Sequence, residues 1–262
     1  MSGQSLTLQL RKLKLPSFVD HHERIAERAD RDGLSFTDCL QQLVELELCG
    51  RQVRKIERLG KGSGLPAEKT LANLDQKRLS AKVRRQLPAL CDGGFAERAE
   101  NVLAFGAPGR GKSHTLSAVG HELIRRGISV LWCPAYQLVQ RLLAAKRDLA
   151  LEAELRRLDR FDVVALDDIG YVQQGREEME VLFTLLAERY ERRSVMITSN
   201  LVFSQWDKIF KDAMTTAAAI DRLVHHSTIL EMTGRSFRTD VAKTRAARAA
   251  GEGDDKDSSE EK

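Results

Sequence analysis

Residues 106–114, Gly106-Ala107-Pro108-Gly109-Arg110-Gly111-Lys112-Ser113-His114, bring three glycines, a lysine and a hydroxyl into nine positions. Glycines admit positive φ and let successive backbone N–H groups converge on an anion. A lysine placed here reaches the β- and γ-phosphates of a nucleotide, and the serine hydroxyl after it binds Mg2+. That chemistry requires the loop to lie between a strand and a helix. "NVLAF" (101–105) precedes it as a short apolar run, and Leu116, Val119, Leu123 and Ile124 follow on one helical face. The helix N-terminus adds its dipole to the cradle.

Mg2+ held by phosphates and one hydroxyl is under-supported, and "FDVVALDDIG" offers carboxylates at the end of an apolar strand. Asp167 is placed to hold Mg2+ through water, and Asp168 to orient and activate the attacking water. The alternative for two adjacent acids is to cap the next helix. One apolar run, "ISVLW" (128–132), lies between the loop strand and the carboxylate strand, as in ATPases with an added catalytic acid, and no N-K-x-D motif reads guanine. ATP is therefore expected rather than GTP. Asn200, ending "SVMITSN", stands where a polar side chain reaches between the acids and the γ-phosphate; taken alone it reads as a turn residue.

These groups need a scaffold to position them. "NVLAF", "ISVLW", "DVVALD" (162–167), "SVMIT" (194–198) and "STILEM" (227–232) have the composition of strands buried on both faces. Helical patterns separate them, such as Leu138, Leu142 and Leu143, or Met179, Leu182, Phe183 and Leu186. The alternation predicts an α/β fold with a central parallel five-stranded sheet flanked by helices. A small all-helical domain should precede it over 1–59, where Leu40, Leu43, Val44 and Leu48 recur at helical spacing. "GKGSGLP" opens an expected linker at 60–70, the ATPase domain spans 71–245, and 246–262 reads as an acidic disordered tail.

With 262 residues and 42% hydrophobic content the chain can hold one medium core and a smaller appendage. No window resembles a membrane span, and the N-terminus lacks a secretory pattern, so a cytoplasmic protein without membrane contact is expected. Cys39, Cys49, Cys91 and Cys133 form no C-x-x-C pair and suggest reduced thiols. Net charge is +4, but residues 251–262 hold six acids against two lysines, leaving +8 on the rest, a surplus compatible with an anionic partner.

At "AAAIDRLVHHSTILEMTGRSFR" (217–238), together with "GAPGRGKSH", "LDDIGY", "RYERRSVMITSNLVFSQWDKIF" and "LPAEKTLANLD", the chain resembles the IstB-like transposition helper ATPases of insertion sequences. These are AAA+ proteins close to DnaC-type helicase loaders and the DnaA initiator, and the likeness covers about Leu65 to Arg238. It implies that Gly106 to Ser113 form Walker A, with His114 as the family tends to have it. Asp167 and Asp168 match Walker B, Asn200 matches sensor 1, and Arg222 matches the arginine finger that completes a neighbouring subunit's ATP site. A monomer should then hydrolyse slowly. Departures are Asp168 where the family often has Glu, and Arg110 where Thr is common. Little chain follows "GRSFR" for a helical lid, and a sensor 2 role for Arg238 stays open.

The resemblance implies an ATP-dependent regulator of transposition that self-associates on double-stranded DNA, as a ring or helical oligomer with Arg222 acting in trans, and recruits or activates a cognate transposase. The alternative is a DnaC-like replicative helicase loader; a small-molecule kinase would leave Asn200 and Arg222 without a task. Arg51, Arg54, Lys55 and Arg58 share one helical face, which is either a phosphate-binding stripe or a solvated face partly paired with Glu57. Lys77, Arg78, Lys82, Arg84 and Arg85 form a second basic group. Arg141, Lys146 and Arg147 form a third, where the initiator and loader clade carries a helix facing nucleic acid. His21-His22 and His225-His226 are not expected to bind zinc, because neighbours on a helix diverge.

Overall fold

The computed structural model describes residues 3–171, 175–201, 205–206, 213–233 and 236. Arg238 and the acidic tail lie outside them. The chain divides into two compact units, Met1–Arg58 and Leu59–Lys262.

The first unit is made by α1 (Gly3–Lys12), α2 (Pro16–Asp32) and α3 (Phe36–Gly62) up to Arg58, the last turn of α3 falling in the second unit. Pro16 starts α2 where its missing N–H costs nothing. Ser35 and Asp38 cap α3 reciprocally: the Asp38 N–H donates to Ser35 Oγ at 3.1 Å and the Ser35 N–H to Asp38 Oδ2 at 3.2 Å. Contrary to the composition, α3 does not break at Gly60 and runs on to Gly62. Nor do Leu40, Val44 and Leu48 form the core of this unit; they lie exposed, in line with Phe36. The inward positions carry Leu10, Ile25 and an acid, Glu47.

Glu47 is 4% exposed, accepts the Ser17 N–H at 2.9 Å, and accepts Arg51 Nε at 2.9 Å and Arg54 Nη2 at 3.0 Å. Burial pushes its carboxyl up, but the hydrogen bonds from Arg51 and Ser17 and the charge of Arg54 outweigh burial and hold it below its ordinary 4.5. A depressed carboxyl contributes stability that is complete above the ordinary carboxylate range and lost as pH falls through the folded value. Glu47→Gln should therefore cost about 1–2 kcal/mol at pH 7, discounted because both guanidiniums are half-exposed, and the gap to wild type should close in acid. Thermal melts followed by circular dichroism at pH 7 and pH 3 check both statements.

The second unit holds a parallel sheet of β1 (Asn101–Phe105), β2 (Val130–Pro134), β3 (Val163–Asp167), β4 (Ser194–Ser199) and β5 (Ser227–Glu231), ordered β2-β3-β4-β1-β5. Its helices are α4 (Ala81–Asp92), α5 (Gly94–Glu97), α6 (Lys112–Arg125), α7 (Ala135–Arg147), α8 (Leu151–Leu158), α9 (Arg176–Arg189) and α10 (Ala213–Val224). Leu103, Leu116, Leu142, Val164, Leu182 and Ile197 are among the fully buried side chains, as the apolar runs predict. After β1 the chain crosses to the far edge and returns strand by strand until β4 lies beside β1. Order therefore reverses around β1, and loops diverge at the carboxyl ends of the strands, where ligands of such sheets bind.

β2 starts two residues later than the apolar run suggests, because Ser129 is held by Asp162: its N–H and Oγ donate to Asp162 Oδ2 at 2.9 and 2.7 Å. Arg189, 2% exposed, donates to the carbonyls of Leu158, Phe161, Asp162 and Ser194 and fixes the opposite end of the sheet. Burial pushes its guanidinium down to about 10, with Asp159 opposing.

Residues 63–75, expected in part as linker, do not run free. The Trp132 N–H on β2 donates to Ser63 O at 2.6 Å, and a Cβ on Gly64 would meet the Trp132 carbonyl oxygen at 2.6 Å. The Pro66 and Thr70 carbonyls lie 3.0 and 3.1 Å from Nε2 of His121 and His114 on α6. Gly64 thus serves close approach rather than chain freedom.

Candidate active site

From Phe105 the chain turns through 106–111 into α6, the strand–loop–helix order that a phosphate loop requires. Gly106 has φ 151°, and a Cβ there would run into the Met232 carbonyl oxygen just past β5. Gly109 and Gly111 are left-handed, and the Gly111 carbonyl accepts the Thr115 N–H at 2.8 Å, closing the first turn of α6. Lys112 is 7% exposed; its ammonium donates to the carbonyls of Gly106 at 2.7 Å and Ala107 at 3.2 Å. The lysine thus lies folded back across its own loop, with Ser113 half-buried beside it.

β3 delivers Asp167 at its last position, and the next residue, Asp168, adopts φ 65°. One hydroxyl holds both: Thr198 Oγ1 on β4 donates to Asp167 Oδ1 at 2.6 Å and accepts the Asp168 N–H at 2.8 Å. Sequence reasoning passed over Thr198, since a threonine inside an apolar strand reads as an ordinary strand former. The available signal was alternation: Thr198 and Asn200 are two residues apart. Asn200 Oδ1 is buried without a hydrogen-bond partner. It lies against Gly170, where a Cβ would collide with it.

An open cleft of about 820 Å3, solvent space included, lies over the loop. Residues 108–114 line it together with Asp168 and Asn200, and two further side chains, Lys69 and Leu74, come from the segment before α4. Asp167 and Arg222 do not line it. Arg222 stands on α10 with its guanidinium 4.9 Å from the Phe183 ring centroid and Nη1 donating to Ala218 O at 3.2 Å. The residues present fit a nucleotide with its cation. Glycine geometry leaves room at the loop, a lysine and a serine open α6, and a buried amide oxygen with no hydrogen-bond partner among the described residues belongs to a side chain lining the same cleft as Asp168.

Of the three basic groups, two are largely engaged. Arg51 and Arg54 are the counter-ions of Glu47, so the acid that pairs with this face is Glu47 rather than Glu57, leaving Lys55 and Arg58 exposed. Lys146 pairs with Glu180 at 2.8 Å and Arg141 with Glu154, while Arg147 is exposed. Arg78 lies 3.4 Å from Asp75, and Lys77, Lys82, Arg84 and Arg85 point to solvent around the start of α4.

The chain matches, over residues 8–246, the family described as IstB-like ATP binding protein. It is 42% identical over 234 residues to an insertion sequence ATP-binding protein of Sinorhizobium fredii (strain NBRC 101917 / NGR234), covering 89% of this chain and 78% of that protein. An insertion sequence ATP-binding protein of Pseudomonas aeruginosa is 38% identical over 236 residues, covering 89% and 88%. Among solved structures, DnaI superposes with a TM-score of 0.54 at 21% identity, covering 65% of this chain and 96% of that one. The replication initiator DnaA bound to AMPPCP and single-stranded DNA gives 0.55 at 17%, covering 71% and 56%. At these identities the structural likeness concerns the fold, which is that of the DnaC and DnaA AAA+ domains.

Proposed function

Because the chain belongs to the IstB-like ATP binding protein family, we propose that it is an ATPase that assembles on double-stranded DNA and recruits or activates a transposase. The observation that carries the nucleotide part is the convergence of the 106–113 loop, Asp168 and Asn200 on one cleft at the carboxyl ends of three adjacent strands.

In this reading the backbone N–H groups of 109–113 bind the phosphates, Pro108 having none to offer, and Lys112 leaves its two carbonyls to meet the β- and γ-phosphate oxygens. Ser113 and Asp167 would hold Mg2+, which would supply neutralisation of phosphate charge. Asp168 accepts a proton from the attacking water, held in place by the Thr198 hydroxyl. Asn200 Oδ1 finds its missing donor in that water, and the amide N–H of the same side chain donates to the γ-phosphate. Arg222, remote from its own cleft, faces the cleft of a neighbouring subunit.

Thr198→Val keeps the shape of the side chain and removes both hydrogen bonds. Turnover should fall about tenfold while nucleotide affinity stays within about threefold, since the loss falls on the attacking geometry. Steady-state phosphate release and fluorescent-nucleotide titration separate the two.

For DNA, the support is the exposed group Lys77, Lys82, Arg84 and Arg85, which has no folding task of the kind Arg51 and Arg54 have. Charge reversal at these four should weaken binding of the full chain to duplex DNA and flatten the salt dependence, by about 0.9 in log–log slope per lost phosphate contact. Anisotropy titrations across a salt series test it, and unchanged curves would remove this surface. Pull-down with the full chain tests the partner: recovery of a transposase supports the reading, and recovery of a replicative helicase replaces it with a helicase loader.

A further inference from the structure

Glu191, His225 and His226 meet at the end of the sheet opposite the phosphate loop, where β4 and β5 begin. α10 stops at Val224, so the two histidines lie in the turn into β5 rather than on a helix, and their ring centroids approach to 4.0 Å instead of diverging. Backbone hydrogen bonds hold this turn at both ends, from the His225 N–H to Asp221 O at 3.0 Å and from the Asn101 N–H to His226 O at 2.7 Å. Across from it, the turn after α9 is fixed by buried Arg189, and Glu191 there adopts φ 56°. Glu191 Oε1 lies 3.9 Å from His226 Nε2, and the Tyr190 hydroxyl lies 3.0 Å from His225 Nδ1. One ligand atom from each of Glu191, His225 and His226 falls within 4.8 Å of the others, and no other group of three among the described residues does so.

We propose that Glu191, His225 and His226 form a surface site for a transition-metal dication of the zinc class, held by two imidazoles and one carboxylate with its fourth position open. Mixed nitrogen and oxygen donors favour zinc, cobalt, nickel or copper over the all-oxygen preference of magnesium and calcium. Zinc bonds of about 2.0–2.2 Å place tetrahedral ligand atoms roughly 3.4 Å apart, so closure asks shifts of about 1 Å from three exposed side chains. Tyr190 acts on His225 as an outer-sphere partner that fixes ring orientation. Of the neighbouring guanidiniums, Arg192 pairs with Asp159 and Glu188 and Arg193 with Asp162, while Arg222 lies over the Phe183 ring and bonds back to Ala218 O. A bound ion ties the α9–β4 turn to the α10–β5 turn, three residues from Arg222. The open position accepts water or a group from an adjoining subunit.

The test uses the untagged full-length chain without nucleotide, titrated with Zn2+ against a chromophoric chelator and with Co2+ by visible absorption. About one ion per chain is expected, with cobalt bands of nitrogen and oxygen ligation. Glu191→Gln and His226→Gln should each weaken binding at least about tenfold, and Tyr190→Phe should weaken it less. Circular dichroism verifies folding, and Glu191→Gln, on an exposed side chain, keeps the test decisive if His226→Gln misfolds. Absence of Zn2+ binding, a sulfur-to-cobalt charge-transfer band from any of the four cysteines, or undiminished affinity in folded Glu191→Gln protein would overturn the proposal.

Discussion

Lys112→Ala abolishes ATP turnover, with a fall of at least about 100-fold, while leaving the thermal midpoint of the protein nearly unchanged. The size follows from what the ammonium does at each stage. A charge-assisted hydrogen bond to a phosphate oxygen contributes about 1.5–3 kcal/mol, and it strengthens as charge moves toward the γ-phosphate. The mild effect on stability follows from its present partners. Nζ donates to the backbone carbonyls of Gly106 and Ala107, and in the alanine variant water entering from the adjoining open cleft, which residues 108–114 line, takes its place. Phosphate release and fluorescent-nucleotide binding measure the first claim, and a melt measures the second. Turnover within about threefold of wild type would show that the loop is not where ATP reacts.

Arg222→Ala gives the second large effect, of a different kind: nucleotide binding is retained, and turnover in the assembled state falls by about 10³-fold, the scale on which arginine fingers act. Its present contacts explain why folding survives. The guanidinium lies over Phe183 and bonds back to Ala218 on its own helix, so alanine exposes part of one ring and orphans no buried charge. Mixing separates action in trans from action in cis. Neither Lys112→Ala nor Arg222→Ala protein turns over ATP alone, but a mixture forms interfaces with an intact loop from one chain and an intact arginine from the other. Recovered turnover in the mixture is the expected outcome; none would show that Arg222 acts within its own chain rather than at a neighbour's cleft, and full activity of Arg222→Ala protein by itself would place the residue outside the reaction.

How much could be read in advance depended on how local each feature is. The glycine loop specifies itself within nine residues, and the apolar runs place β1, β3 and β4 to within a residue because both faces of these strands are buried; β5, a half-buried edge strand, is placed as closely by its β-branched run. The relation of Thr198 to Asp167 and Asp168 was not legible, since it arises from the parallel register of β3 and β4, about thirty residues apart. The close approach of Asn200 to Gly170 has the same origin. Arg51 and Arg54 read as a free basic stripe because nothing in the composition marks Glu47 as the one acid of α3 that turns inward. That the His225 and His226 rings converge rather than diverge was hidden for a similar reason. The helix that would separate them ends one residue earlier.

The bond from Trp132 to Ser63 also bears on how the ATPase unit can be handled by itself. β2 is the sheet's outer strand, and the short stretch at 63–64 is what occupies part of its free edge. A fragment cut at residue 71, where the sequence alone places the start of the ATPase domain, would bare that row of donors and acceptors and offer other copies a strand to pair with, inviting aggregation. Cut ahead of residue 60, the fragment carries its own edge guard and should stay dispersed at concentrations where the shorter one precipitates.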